Sequence, residues 1–314
     1  MNRPAAPASD AENAIARTKI GAVTIYFGQK NGKYPDGNQV LVRGGDLRVA
    51  FDTPLVSNHI GPDFDEVDMV ILGHVHEDHM AGLHRVPQAQ VWVHEADVAA
   101  ARSWPGLAAH YGYPGTTGER LRRKIEAQFH YAPRPDAQAY ADGQQWDLGA
   151  GVIVTAHHLP GHTAGHCALV VEPAGVAFIG DIDLTGFGPY YGDATSSLAD
   201  FRRTLKKVRD LPARHWVTSH HRGLISDRAA FVEMLDAFAA KLDERSDKLL
   251  HMLAAGPRSV DELVAQRLLY PQGYEELWVD DAERRTILQH LDELLAEGRV
   301  VAGGQADRLA YARA

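Results

Sequence analysis

Val67-Asp68-Met69-Val70-Ile71-Leu72-Gly73-His74-Val75-His76-Glu77-Asp78-His79 decides the reading of this chain. An apolar run of strand length stops at a glycine, and residues 74–79 then carry three histidines and an aspartate. A strand that ends in such a loop delivers four metal-capable side chains to one spot. Imidazole nitrogens and a carboxylate oxygen suit zinc and, less selectively, iron or manganese. Alternation along the loop sends His74 and His76 one way and leaves Asp78 and His79 to reach a second centre a few ångströms off.

Working outward, the rest of the chain supplies further ligands, each where a strand ends. His162 lies in Pro160-Gly161-His162-Thr163-Ala164-Gly165-His166, after an apolar strand and a turn. Asp181 closes Val176-Ala177-Phe178-Ile179-Gly180, where the glycine allows close backbone approach. His220 follows Trp216-Val217-Thr218-Ser219; strand-end geometry turns adjacent side chains in opposite directions, so only one of His220 and His221 is expected to be a ligand, and His220 is taken as that one. Rigid sheets position such loops while the loops stay accessible. Two metals bridged by one carboxylate and one hydroxide would engage all seven side chains. His157, His158, His59, His84 and His94 read as structural, while His166 sits close enough to hydrogen-bond within the loop. Cys167 enters an apolar strand and reads as a small buried hydrophobe.

Strands are expected at residues 22–27, 39–43, 47–51, 67–72, 90–94, 151–156, 168–171, 176–179 and 215–218. The turn-rich segment 28–38 separates the first two. Helical stretches are expected near 80–84, 119–129 and 197–210, with 104–106 and 111–118 as loops. Helices alternate with strands, but several consecutive strands have only turns between them. The pattern implies an α/β (α+β) chain with a sheet-on-sheet core and helices outside, not a doubly wound parallel sheet. From about residue 227 the character changes to a long amphipathic helix at 229–253 and a break at Gly256-Pro257. Ser259 with Glu262 then caps a helix at 260–269, and a third helix covers 282–297. Segments 299–302 and 308–311 can pair across Gly303-Gly304. The domain reading is a disordered lead-in at 1–18, a catalytic domain at 19–228, and a long helix with a small winged-helix-like domain at 229–314.

A net charge of -9 argues against general affinity for nucleic acid or anionic membranes. One cysteine in 314 residues allows no internal disulfide and fits a reducing compartment, the cytoplasm. The polar Ala/Pro-rich start lacks the apolar core of a signal peptide, and no stretch reaches the roughly 18 apolar residues of a membrane span.

His-x-His-x-Asp-His, Gly161-His162-Thr163, the strand-end Gly180-Asp181 and the late His220 occur in the order seen in the metallo-β-lactamase superfamily, which residues 20–226 resemble. The resemblance implies an αββα sandwich. It places His74, His76 and His162 on one metal and Asp78, His79 and His220 on the other, with Asp181 bridging. It also makes Asp52 a brace that orients a ligand histidine without touching metal. The implied cofactors are two divalent ions, zinc by preference and iron or manganese otherwise. The activity expected is hydrolysis of a small ester, thioester or lactone by metal-activated hydroxide, with Asp78 also handling the water's proton. His76 stands where the family's flavin-linked di-iron reductases carry glutamate, and Asp181 where familiar zinc β-lactamases carry cysteine or lack the bridge, so neither chemistry is favoured. The intervals after His162 are too short for the domain that nuclease branches insert. An endoribonuclease and a mononuclear iron persulfide dioxygenase are the alternatives.

The C-terminal segment resembles the tail of the branch related to β-lactamase-like protein 2. Residues 280–299 are net acidic, which argues against a nucleic-acid recognition helix. The tail is expected to wall one side of the active-site mouth or to contribute a homodimer contact. The aromatic loop Gly186-Phe187-Gly188-Pro189-Tyr190-Tyr191-Gly192 is the candidate substrate contact, through Tyr190 and Tyr191. Trp104 and residues 111–113 are a candidate second wall for a small-molecule substrate.

Overall fold

The computed structural model describes residues 15–113, 115–304 and 309–314. Two sheets face each other. The first contains β1 (Arg17–Ile20), β2 (Val23–Tyr26), β3 (Gln39–Arg43), β4 (Arg48–Phe51), β5 (Met69–Leu72), β6 (Gln90–His94) and β7 (Gln138–Tyr140), side by side in chain order. Pairing is antiparallel from β1 to β4 and parallel from β4 to β7. The second contains β8 (Gln145–Asp147), β9 (Ile153–His158), β10 (Cys167–Glu172), β11 (Val176–Phe178), β12 (His215–Val217) and β13 (Leu224–Ile225), again neighbouring in chain order, with only β11 and β12 parallel.

Strand alternation divides the apolar side chains between three layers. Val49, Phe51, Met69 and Ile71 point between the sheets, where they meet Val154, Leu169, Val171 and Phe178. Ala50, Val70 and Leu72 point outward, under Leu107 of the helix Trp104–Tyr111 and Leu121 and Ile125 of the helix Gly115–Gln128. On the far face Ala168, Val170 and Ala177 pack beneath Phe201 of the helix Leu198–Val208 and Phe231, Leu235 and Phe238 of the helix Arg228–Met252. The result is helix, sheet, sheet, helix. Because β5 is buried on both faces, its four residues can all be apolar.

The long helix belongs to two cores. Its first half covers the second sheet, and its last turns bring Leu249 and Met252 to Leu263, Ile287, Leu291 and Tyr311 of a separate C-terminal cluster. That cluster comprises the helices Val260–Gln266 and Val279–Ala296 and the hairpin β14 (Val300–Gly303) and β15 (Ala310–Arg313). Ser259 and Glu262 form the capping box expected from sequence. Among the described residues no helix is long and apolar enough to cross a membrane.

Three expectations need correction. Of the segment read as lead-in, residues 1–14 lie outside the described residues, but Arg17 and Thr18 are already paired with β2. The stretches read as loops are partly helical: residues 104–106 open the helix Trp104–Tyr111, which Ser103 caps by accepting the Gly106 N–H and whose first turn suits Pro105, and residues 115–118 open the helix Gly115–Gln128. Of the second hairpin arm, residue 308 lies outside the described residues, and the pairing runs over 310–313.

Where the long helix crosses between its cores, polar groups are buried. His290 is fully buried between the Tyr191 hydroxyl, at 2.8 Å, and Ser246 Oγ, at 2.9 Å. Burial, with Arg245 and Arg202 adding repulsion, pushes its pKa from 6.5 down to about 3. A depressed pKa means the unfolded chain takes up the proton first, so this contribution to stability is complete above 6.5 and is lost as pH falls toward 3. Denaturant unfolding of the metal-free chain at about pH 7 and about pH 5 should show a loss from this group of up to about 1.4 kcal/mol per unit below its ordinary pKa. His290→Gln should flatten that slope; an unchanged slope would mean that His290 is not held neutral in the fold.

Candidate metal centre

All the metal-capable side chains named from sequence leave strand ends on the same edge of the sandwich. β5 stops at Gly73, whose N–H donates to Asp52 Oδ1 at 2.7 Å, and residues 77–79 turn as one short helical loop. His162 follows β9, Asp181 follows β11 and His220 follows β12. Gly180 has φ +55°, and a Cβ there would lie 2.5 Å from His166 Nε2, so this position needs glycine. His166 in turn accepts the Asp181 N–H at 3.2 Å and donates to the Leu159 carbonyl at 3.1 Å, which sets the backbone that carries Asp181.

The donor atoms form two groups. His74, His76, His162 and Asp181 offer atoms within 4.8 Å of one another, and so do Asp78, His79 and His220. Asp181 stands between them. Its Oδ2 lies 3.3 Å from His162 Nε2 and 4.0 Å from His74 Nε2, while its Oδ1 lies 3.1 Å from His79 Nε2 and 3.6 Å from His220 Nε2. Asp78 Oδ2 closes the second group, 3.1 Å from His220 and 3.6 Å from His79. Asp52 also lies near His74 and His79, but both its oxygens are committed: Oδ1 to Gly73 and Oδ2 to His79 Nδ1 at 2.8 Å.

Each imidazole except that of His74 is oriented from behind. His79 donates through Nδ1 to Asp52, His162 to the Tyr190 carbonyl at 2.9 Å, and His220 to the carbonyls of Gly32 and Asp36 at 2.9 and 2.8 Å. Their Nε2 atoms are thereby left to face the centre. His76 is turned the other way: its Nε2 donates to Asp193 Oδ2 at 2.9 Å, and its Nδ1 lies 3.1 Å from His162 Nε2. Asp97 ties the two main loops together, accepting from Thr163 Oγ1 at 2.6 Å, the Gly165 N–H at 2.8 Å and the Val75 N–H at 3.4 Å.

The residues fit a cation on two grounds. His74 Nε2, His79 Nε2 and Asp181 Oδ1 are buried with no hydrogen-bond partner, although buried polar atoms are ordinarily satisfied. Electrostatics agrees. Burial pushes the His79 and His220 imidazoles down, yet the carboxylates facing them (Asp78, Asp181 and Asp52 for the first; Asp181, Asp183 and Asp78 for the second) outweigh it and raise both well above an ordinary histidine. The centre favours positive charge, which a divalent ion supplies.

A cavity of about 540 Å³ opens over the cluster and is lined by His76, Asp78, His162, Asp181 and His220 together with Tyr34, Tyr113 and Tyr190. Tyr191 requires a correction. It is fully buried and its hydroxyl joins Arg245 and His290, because the left-handed Gly188 and the grip of Arg245 on the Phe187 and Pro189 carbonyls turn it into the core. His221 has a left-handed backbone and lines the cavity, its ring centroid 6.4 Å from that of His220. His157 and His158 pair within β9 and β10. Asp193, Asp97 and Glu77, whose carboxylate receives the Tyr34 and Tyr111 hydroxyls, were not legible in the sequence. Each acts on a partner 22 to 117 residues away, so local spacing carries no trace of it.

The model of the metallo-beta-lactamase superfamily matches residues 37–220, more than half of the chain, and the chain belongs to that superfamily. It is 28% identical over 217 residues to a hydroxyacylglutathione hydrolase of Acidiphilium cryptum, covering 67% of this chain and 74% of that one. It is also 28% identical over 173 residues to a probable metallo-hydrolase of Mycobacterium tuberculosis, 49% of this chain and about half, 51%, of that one. Among solved structures, a metallo-beta-lactamase family protein from Thermus thermophilus superposes with a TM-score of 0.67 at 27% identity, covering 88% of this chain and 94% of that one. A beta-lactamase domain protein from Burkholderia ambifaria gives 0.65 at 19% identity, covering 95% and 94%, a likeness of fold. The chain is a metal-dependent hydrolase.

Asp181→Ala should empty both donor groups, whereas His220→Ala should lower only the second metal's occupancy and His221→Ala neither, as read by elemental mass spectrometry. Asp193→Ala should weaken metal retention about 10- to 100-fold against a chelator by freeing His76, with Asp193→Asn intermediate.

Proposed function

We propose that the chain hydrolyses a small ester, thioester or lactone with two divalent metal ions, zinc by preference. The observation that carries this reading is that the two oxygens of Asp181 face two separate sets of imidazoles on the floor of one cavity. His74, His76, His162 and Asp181 Oδ2 would hold one ion; Asp78, His79, His220 and Asp181 Oδ1 the other. Bound there, divalent ions supply Lewis acidity and lower the pKa of water from about 15.7 to about 7.

The chain's own groups do the rest. Asp52, Asp193 and the backbone carbonyls keep the donor nitrogens of His79, His76, His162 and His220 aimed at the centre. Burial works to raise the Asp78 carboxyl, but His79 and His220 outweigh it and hold the group below its ordinary value. Asp78 is therefore ionised and suited to accept the proton of the attacking water. In the net reaction the acyl C–O or C–S bond breaks, the water oxygen bonds the acyl carbon, and a proton passes to the leaving group. Tyr190 remains the proposed substrate contact, since it lines the cavity beside His162.

The relative that acts on a hydroxyacylglutathione supports acyl hydrolysis as the reaction class. The endoribonuclease alternative finds less support, because among the described residues Lys33 is the one lysine or arginine in the cavity lining, against Glu77 and Asp193. A mononuclear dioxygenase would leave the convergence of Asp78, His79 and His220 without a role. The cytoplasmic reading rests on the single cysteine, which is buried.

Elemental mass spectrometry of protein purified without added metal should give about two equivalents of a divalent metal per chain. Chelation should abolish ester hydrolysis, and zinc should restore it. One equivalent of iron with oxygen uptake on persulfides would instead establish the dioxygenase.

A further inference from the structure

Three of the four aromatic side chains of the cavity's outer wall come from outside the matched family region. Tyr270, Tyr274 and Trp278 come from the connection between the helices Val260–Gln266 and Val279–Ala296 and line the cavity together with Phe187 of the aromatic loop, which meets Tyr270. The connection is a fixed structure. Buried Glu283 accepts the N–H groups of Leu268, Leu269 and Tyr270 at 2.7, 2.9 and 2.8 Å. The rings of Tyr270 and Tyr274 stack with centroids 5.2 Å apart at 9°, and Phe187 meets Tyr270 at 5.7 Å. Phe187 is itself steadied by the Arg245 guanidinium over its ring at 5.5 Å.

This wall is apolar where water can reach it. The large hydrophobic side chains exposed among the described residues are Tyr34, Phe187, Tyr274, Val301 and Leu309, and the first three all line this cavity. Exposed aromatic surface gathered at one concave place marks a site for an apolar partner. Charge complements the shape. A ligand bearing several carboxylates or phosphates would meet the Lys33 ammonium and the carboxylates of Glu77 and Asp193, while Lys124, over the Trp278 ring at 4.6 Å, is already held by Glu276 at 2.9 Å.

We propose that the wall formed by Phe187, Tyr270, Tyr274 and Trp278 selects the substrate, and that the substrate is an uncharged ester, lactone or thioester carrying an aromatic or similarly flat apolar group. Thioesters of polyanionic carriers such as glutathione are poor substrates. The inference rests on the acyl-hydrolase reading and narrows it. The C-terminal segment thereby becomes the specificity element of the enzyme, while the superfamily region supplies the metal centre.

Kinetics of the metal-loaded full chain test the selection. Methyl phenylacetate should exceed methyl acetate in kcat/KM by about tenfold or more, the worth of about 1.4 kcal/mol of aromatic burial. The phenylacetyl thioester of N-acetylcysteamine should likewise exceed that of glutathione. Phe187→Ala and Tyr274→Ala, at exposed positions whose truncation leaves the core intact, should raise KM for methyl phenylacetate more than for methyl acetate, with kcat changing less than KM. Equal loss on both esters would indicate a merely structural role and overturn the proposal, as would preference for the glutathione thioester. A second readout needs no turnover: calorimetric binding of 4-phenyl-2-butanone to the metal-free chain, expected in the native protein and weakened in both variants. Ketone binding without hydrolysis of any ester would retain the apolar pocket and refute the reaction class. Ester hydrolysis without ketone binding or aromatic preference would refute the pocket alone.

Discussion

The carboxylate of Asp181 is held among four imidazoles in a site with little access to water, and the rest of the centre follows from that constraint. A buried anion surrounded by donors that lack protein partners is costly unless cations complete the arrangement. The alternative to a cation is protonation, which explains why His79 and His220 stand so far above ordinary histidines without one. Asp52, Asp97, Asp193 and a set of backbone carbonyls then act at one remove, fixing which nitrogen each ring presents. The sandwich contributes rigidity: strands buried on both faces end at one edge, and short loops cannot wander far from such anchors.

The C-terminal segment is bound into this arrangement by polar contacts as well as by apolar packing. Arg245, from the long helix, receives no carboxylate partner among the described residues; instead it donates to the carbonyls of Phe187 and Pro189 and to the Tyr191 hydroxyl. Arg285 reaches the carbonyls of Gly112 and Gly192, and Gln289 donates to the Tyr191 carbonyl at 3.1 Å. The loop gripped by these groups ends in Tyr190, whose carbonyl orients His162, and in Asp193, which orients His76. One loop therefore links the C-terminal segment, the cavity wall and the first donor group.

Much of the frame was readable because its signals are local. The strands 39–43 and 90–94 have the boundaries expected of them, since apolar β-branched runs bounded by turn residues leave little choice. The short strands β7 and β8, with sequences Gln-Ala-Tyr and Gln-Trp-Asp, escaped notice because three residues hold too little periodicity to stand out. The two-residue β13 escaped for the same reason. The helix Trp104–Tyr111 was hidden by Pro105 and Gly106, which suggest a turn until Ser103 is recognised as its cap. The segment 28–38 read only as a turn-rich connection, and nothing local shows that its carbonyls hold His220.

Sequence alone determined the sheet-on-sheet architecture, the strand-end positions of the metal-capable side chains and the superfamily, because period-two burial and ligand type are written in neighbouring residues. Tertiary structure alone decided which nitrogen of each imidazole faces the centre, that the two oxygens of Asp181 serve different donor groups, and that Tyr191 is buried while Tyr190 lines the cavity. It also decided that Tyr270, Tyr274 and Trp278 come to stand over a site assembled by residues 74–220. The physical reason is range. Side-chain hydrogen bonds and cavity walls join residues up to about two hundred positions apart, as in the bond from His220 to Gly32 at a separation of 188, and no local pattern encodes such a meeting.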